Sequence, residues 1–118
     1  MSAETQLRAV LVADSAVAAL VATRVFADRA EQGAAQPFVV FGRVSTQPVQ
    51  FLDGTVPRSQ VSLDVQCWAA TRAAADALAD AVAAAIRAVP QQSVPGRSGV
   101  YDADLDAHGT VLNVNWWD

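Results

Sequence analysis

Asp102, Asp104 and Asp106 alternate along the chain, a spacing that brings three carboxylates to one side of a strand or into one loop, as a hard cation needs. The run resembles the opening of a calcium loop. Yet Ala107 stands where the turn glycine is required, and Asn113 where the bidentate acidic ligand belongs. His108, the only histidine, sits beside Gly109 in a predicted turn. An imidazole that works as acid or base needs a partner to orient it, and the nearby Asp106 is a weak one. Cys67 is the only cysteine, so no intrachain disulfide forms, and its place in an alternating segment predicts a buried strand thiol. The chain has no phosphate-cradling glycine loop, no nucleophile elbow and no cysteine–histidine metal spacing. The residues therefore predict no catalytic group, no metal and no cofactor, and the protein is not expected to be an enzyme.

Charge narrows the partners. All eight basic residues are arginine against twelve acidic ones, giving a net charge of −4. Scattered arginines form no basic stripe, which disfavours tight electrostatic binding to nucleic acid. The absence of lysine and the excess of alanine follow from a biased composition as readily as from function. The apolar stretch from Leu7 to Val25 is interrupted by Arg8, Asp14 and Arg24. That pattern suits neither a signal peptide nor a membrane span, so synthesis in the cytoplasm with no membrane partner is expected. With 118 residues, a single domain over 1–118 can bury a sufficient core without a disulfide or metal.

The elements that would position these residues read as α+β. Leu7, Val10, Leu11, Val17, Leu20 and Val21 recur at helical spacing, with Asp14 and Ser15 as N-cap candidates, so two short helices or one kinked helix open the chain. Val25–Phe26 is a short strand, and Ala30–Gln36 a loop around Gly33. Phe38–Val44 is a strand. Gln60–Trp68 is another, with Val61, Leu63, Val65 and Cys67 on one face and Ser62, Asp64, Gln66 and Trp68 on the other. Between them Thr46–Ser59, with Pro48, Asp53, Gly54 and Pro57, predicts a long projecting connection. Thr71–Val89 is the strongest helix, capped near Thr71 and ended by Pro90. Its wheel puts Leu78, Val82, Ile86 and Val89 against a sheet, and Arg72, Asp76, Asp80 and Arg87 toward solvent. A terminal hairpin closes the chain between Gln91 and Asp118. The expected fold is a mostly antiparallel sheet of four to five strands, with N-terminal short helices and one long helix packed on it.

Two features point outward. Ala73, Ala77, Ala81, Ala84 and Ala88 form a third helix face of small residues, a surface on which a neighbouring subunit could come close; helix propensity accounts for the same alanines. Trp116 and Trp117 cannot share one side of a strand. Trp117 is accordingly a candidate interface anchor, with simple edge coverage of the core as the equal alternative.

The order of short segments resembles a known family. Leu7-Arg8-Ala9 with Asp14 comes first, then Arg24-Val25-Phe26, Asp28-Arg29-Ala30, Gln32-Gly33-Ala34 and Pro37-Phe38-Val39-Val40-Phe41. Leu52-Asp53-Gly54, Val65-Gln66-Cys67-Trp68-Ala69, Ala75-Asp76-Ala77-Leu78, Tyr101-Asp102 and His108-Gly109 follow. Together they are similar to the phage tail completion proteins, tail terminators that join tail to head in phages, prophages and gene-transfer agents. Asn113 and Asn115 depart from the more charged ending expected there. The resemblance implies a structural virion protein at the tail–neck junction, assembled in the bacterial host cytoplasm. Its partners would be its own copies in a ring, typically hexameric, the major tail tube protein and a head–tail connector or neck protein, with DNA passing through the lumen without specific binding. In that setting Gln50, Phe51, Leu52, Asp53, Gly54 and Arg58 form the arm expected to touch tube, neck or an adjacent subunit. The competing expectation is a small dimeric protein-binding domain, paired through its sheet edge, with no virion role.

Overall fold

A computed structural model describes residues 3–22, 24–28, 36–49, 58–90, 92–104 and 106–117. The elements run α1 (Ala3–Ala13), α2 (Ser15–Val21), β1 (Val25–Ala27), β2 (Phe38–Val49), β3 (Arg58–Ala69), α3 (Arg72–Arg87), β4 (Ser93–Asp102) and β5 (Ala107–Trp117). The opening is two helices, because Asp14 interrupts the first and caps the second. Its backbone is extended, and its carboxylate accepts from the N–H groups of Ala16 and Val17 at 3.0 and 3.1 Å. A side-chain oxygen at this position satisfies amides that a helix start leaves without partners.

The five strands form one sheet in the order β1-β2-β3-β5-β4. Only the short β1 runs parallel to its neighbour; the other pairs are antiparallel, as expected. The Val39 N–H donates to Arg24 O at 3.0 Å and the Asp28 N–H to Phe41 O at 2.7 Å, which fixes β1 in place. β3 is the centre of the sheet, and its alternation becomes burial: Val61, Leu63, Val65 and Cys67 are buried while Ser62, Asp64, Gln66 and Trp68 are half-buried. On the same face lie Val39 and Phe41 of β2 and Leu112, Val114 and Trp116 of β5.

The helices complete the core from that side. α3 starts at Thr71, whose hydroxyl accepts from the Ala74 N–H at 3.1 Å, and buries Leu78, Val82 and Ile86. Each such side chain contributes roughly 1.5–3 kcal/mol by leaving water. Ala75, Ala79, Ala83 and Ala85 are buried as well, which lets the helix axis lie close to the sheet. Leu7, Leu11, Val17 and Val21 bring α1 and α2 into the same cluster. The Trp116 indole N–H donates to Gln6 Oε1 at 2.9 Å, tying β5 to α1.

Three expectations are corrected. Thr46–Val49 and Arg58–Ser59 are not loop: Val49 pairs with Arg58, Pro48 with Ser59, Gln47 with Gln60 and Thr46 with Val61. Pro48 is compatible with β2 because an edge strand can spare an amide. The polar face of α3 does not simply meet solvent, since Arg72 and Asp76 are half-buried against the β4–β5 hairpin. His108 is in β5, not in a turn; the turn residues are Ala103, Asp104 and Asp106, and His108 pairs with Tyr101. The expected loop of Ala30–Gln36 lies, except for Gln36, outside the described residues.

Candidate functional site

The residues that suggested chemistry are occupied with structure. Asp102 ends β4, and its Oδ1 accepts from the Asp104 N–H at 2.9 Å. Asp106 accepts from the Tyr101 hydroxyl at 2.7 Å and sits at φ 48°, the left-handed conformation that short polar side chains tolerate in turns. That hydrogen bond to the Asp106 carboxylate is the main reason the Tyr101 hydroxyl ionises above its ordinary range. The Tyr101 and His108 rings face one another at 4.9 Å between centroids. Among the described residues no three His, Cys, Asp or Glu side chains converge as a metal site requires. Cys67 is buried in β3, and desolvation pushes its thiol up to about 12 against the opposing pull of the Arg97 charge. A thiol so far from ionising is a poor nucleophile at neutral pH.

The densest polar cluster is one that sequence reasoning did not single out. It joins the start of α3 to the β4–β5 hairpin across a shallow cleft of about 390 Å³. Arg72 donates to Gly109 O and Val100 O, both at 2.7 Å, and to Thr110 Oγ1 at 3.2 Å. The Thr110 hydroxyl donates to Asp76 at 2.9 Å. Arg97 of β4 bonds Asp80 at 2.8 Å and approaches Asp76 at 3.8 Å. Two arginines and two aspartates cancel here, and each bridges one element of the chain to another. The cluster is a clamp holding the hairpin to the helix. The Arg72–Asp76 spacing of four was a legible helical ion pair, but nothing in the sequence announced that Arg97 or Thr110 would meet it.

The expected contact surfaces fall as follows. Ala73, Ala77 and Ala84 are exposed on α3 and Ala88 is exposed at its C-cap, while Ala81 is half-buried against the core. Trp117 is half-buried and Trp116 fully so, in keeping with their opposite sides of β5. The Trp117 backbone is held by Gln92, whose side chain accepts from its N–H at 2.6 Å and donates to its carbonyl at 3.2 Å. Arg58 opens β3 opposite Val49. Gln50, Phe51, Leu52, Asp53 and Gly54 lie outside the described residues. A bulge between Arg43 and Ser45 leaves Val44 61% exposed.

The sequence model of the family described as Tail completion protein gp17 matches residues 5–117. The chain belongs to this tail completion family. The match covers every strand and nearly all of the helical layer, so the family pattern is the pattern of the whole sheet and its helices. Among solved structures, a chain of "Virion of native gene transfer agent (GTA) particle" superposes with a TM-score of 0.68 at 20% sequence identity, covering 92% of this chain and 88% of that one. This likeness establishes that the two share a fold. A search of the curated proteins gave no match. No helix among the described residues of this tail completion family member is long and apolar enough to cross a membrane.

Proposed function

We propose that the chain is a structural virion protein, the terminator subunit of a phage-type tail. Copies close into a ring, sixfold in the typical case, that caps the tail tube and joins it to the head–tail connector. The protein acts by contact and turns over no substrate. The observation that carries this reading is the family match over residues 5–117; the shared fold with a chain of a gene transfer agent virion accords with it.

The physical features fit the role. A ring needs two different patches that meet head to tail and close by rotation. The exposed alanines of α3 offer one such patch, where another backbone can approach closely. The segment that joins β2 to β3, with Gln50, Phe51, Leu52, Asp53 and Gly54 in its sequence and Arg58 opening β3, is the second element of the proposal and reaches the tube, the neck or the next subunit. Trp117 anchors the rim of the contact. A net charge of −4 suits a lumen that lets DNA pass without holding it.

Purified chain mixed with tail tubes and imaged by negative stain tests the reading. Ring-shaped density on one end of the tubes is the expected result. Light scattering that finds only monomer, with and without tubes, overturns it.

A further inference from the structure

Among the described residues the sheet has two outer edges, and they differ. Along β2 the short β1 covers Val39–Phe41, a bulge follows at Arg43–Ser45, and Pro48 lies further on. Bulges and prolines are devices that blunt an edge against further pairing. β4, the other outer strand, has its irregularity and its proline confined to Ser93–Gly96; from Gly96 to Asp102 it pairs with β5 in unbroken register. Arg97 to Tyr101 are all exposed.

The direction of each backbone group on this edge follows from the hydrogen bonds of β1. The amide of Val39 and the carbonyl of Phe41 point toward β1, so by alternation Val40 and Gly42 point toward β3. Carried through the register, Val65 and Cys67 point to β5, and Gly109, Val111 and Asn113 point to β4. Their partners Val100, Ser98 and Gly96 point back. Two independent contacts agree: Trp117, on the same alternation as Asn113, bonds Gln92 on the β4 side, and Arg72 straddles the seam between Val100 O and Gly109 O. Arg97, Gly99 and Tyr101 therefore turn their N–H and C=O groups outward, away from the sheet.

We propose that this edge pairs with the same edge of a second copy of the chain, antiparallel and centred on Gly99, so that two sheets become one. The inference rests on the strand order and not on the ring reading. The three outward residues are symmetric about Gly99, so Gly99 meets Gly99 of the second copy and Arg97 meets its Tyr101. This register forms about six inter-chain hydrogen bonds. A register two residues away in one direction sets Tyr101 against Pro95, which has no amide to give; in the other it sets Arg97 against Ala103, in the turn.

The side chains favour the same register. On the helix face each Arg97 comes to lie beside the Tyr101 ring of its partner, whose hydroxyl is already on Asp106, so a cation meets an aromatic ring and a carboxylate rather than another cation. Asp102 falls opposite Gly96, so no like charges face one another directly. On the opposite face Ser98 meets Val100, and the two copies of Val100, each 38% exposed in the single chain, become diagonal neighbours. Self-pairing of this kind closes on itself and leaves neither β4 edge open.

Register-specific cross-linking tests it. Ser98 and Val100 would form a non-hydrogen-bonded pair, the closer of the two antiparallel pair types and one that accommodates a disulfide. Both are exposed, so Ser98→Cys and Val100→Cys preserve the fold, and buried Cys67 does not compete. Under mild oxidation, an equimolar mixture of the two single variants should cross-link several-fold faster than either variant alone. The wild-type chain should show a concentration-dependent rise toward about twice its 12.4 kDa. Tyr101→Pro, which removes an outward amide, should lose that rise while Tyr101→Ala keeps most of it. A chain that stays monomeric across the series overturns the proposal, as does Ser98→Cys alone linking as fast as the mixture. The pair belongs to the free chain, because a ring of head-to-tail contacts has no twofold axis between neighbours; a free chain without the 98–100 link sinks the proposal and leaves the ring reading standing. Linked dimers that never cap a tube do the reverse.

Discussion

Gly109 lies in β5 directly beneath the Trp68 ring, and replacing it with alanine isolates one packing contact. A Cβ built there meets Trp68 Cε3 and Cζ3 and Val100 Cγ2, all at 2.9 Å, whereas carbon atoms rest at about 3.5–4.0 Å. The valine can rotate; the indole is rigid and must move as a unit. Over-packing of this kind costs about 1–3 kcal/mol. Against it stands the gain of about 0.5–1 kcal/mol from replacing a strand glycine, since the backbone here has no left-handed φ that alanine would resist. The clash is the larger effect, leaving a net loss of about 1–2 kcal/mol. An unfolding entropy of about 2.1 cal/mol/K per residue converts this to roughly 4–8 °C in Tm. Calorimetry of Gly109→Ala, alone and in a Trp68→Ala background, reads both halves of the argument. The single variant should melt lower, and the same change should be neutral or stabilising once the indole is gone. A Gly109→Ala protein that melts at or above the wild-type temperature refutes the account.

Other expectations follow from the same contacts. Asp14→Ala removes the cap of α2 and should cost about 1 kcal/mol, read from urea midpoints with an unchanged slope. Leu78→Ala empties a fully buried site on α3 and should cost about 2–5 kcal/mol, the larger end marking a cavity that does not collapse. Because burial raises the Cys67 thiol to about 12 from 9.0, the unfolded chain releases its proton first, and stability should fall as pH rises between those values. Cys67→Ala should flatten that slope, and native protein at pH 8 should leave a thiol reagent unreacted until it is unfolded. Ala77→Arg adds bulk to an exposed face, so it should leave stability within about 0.5 kcal/mol while abolishing capping of tail tubes; capping at the wild-type level would remove the alanine face from the proposed ring contact.

Much of the architecture was legible because two periodicities are clean. The Val61, Leu63, Val65, Cys67 alternation gave the central strand and its buried face, and Leu78, Val82, Ile86 gave the packed stripe of α3. Asp14 and Thr71 marked helix starts because only a side-chain oxygen satisfies those amides. The misreadings share one cause: local punctuation says nothing about partners distant in sequence. Pro48 read as loop, yet β3 supplies a pairing strand that carries β2 past it. His108-Gly109 read as turn, but the glycine answers to Trp68, whose ring crosses the strand at that point. Arg72 and Asp76 read as solvent-facing because the wheel cannot show that Arg97 and Thr110 would be folded over them. The alternating Asp102, Asp104 and Asp106 read as lacking the glycine and the bidentate acid of a cation loop, and the hairpin uses two of those carboxylates on the Asp104 amide and the Tyr101 hydroxyl.

The hydrogen bond between Trp116 and Gln6 spans 110 positions of chain, and it sits where β5 enters beside β3. A nascent polypeptide can form α1, α2 and the β2–β3 ribbon early, but the middle strand then lacks its second neighbour until residues 107–117 have been made. The fold thus depends on contacts between distant segments, and the sheet closes around β3 only when residues 107–117 join it. A partly translated subunit holds an open slot in its sheet and lacks the indole that fastens the first helix. The central strand and the first helix therefore stay incomplete in any chain that lacks residues 107–117.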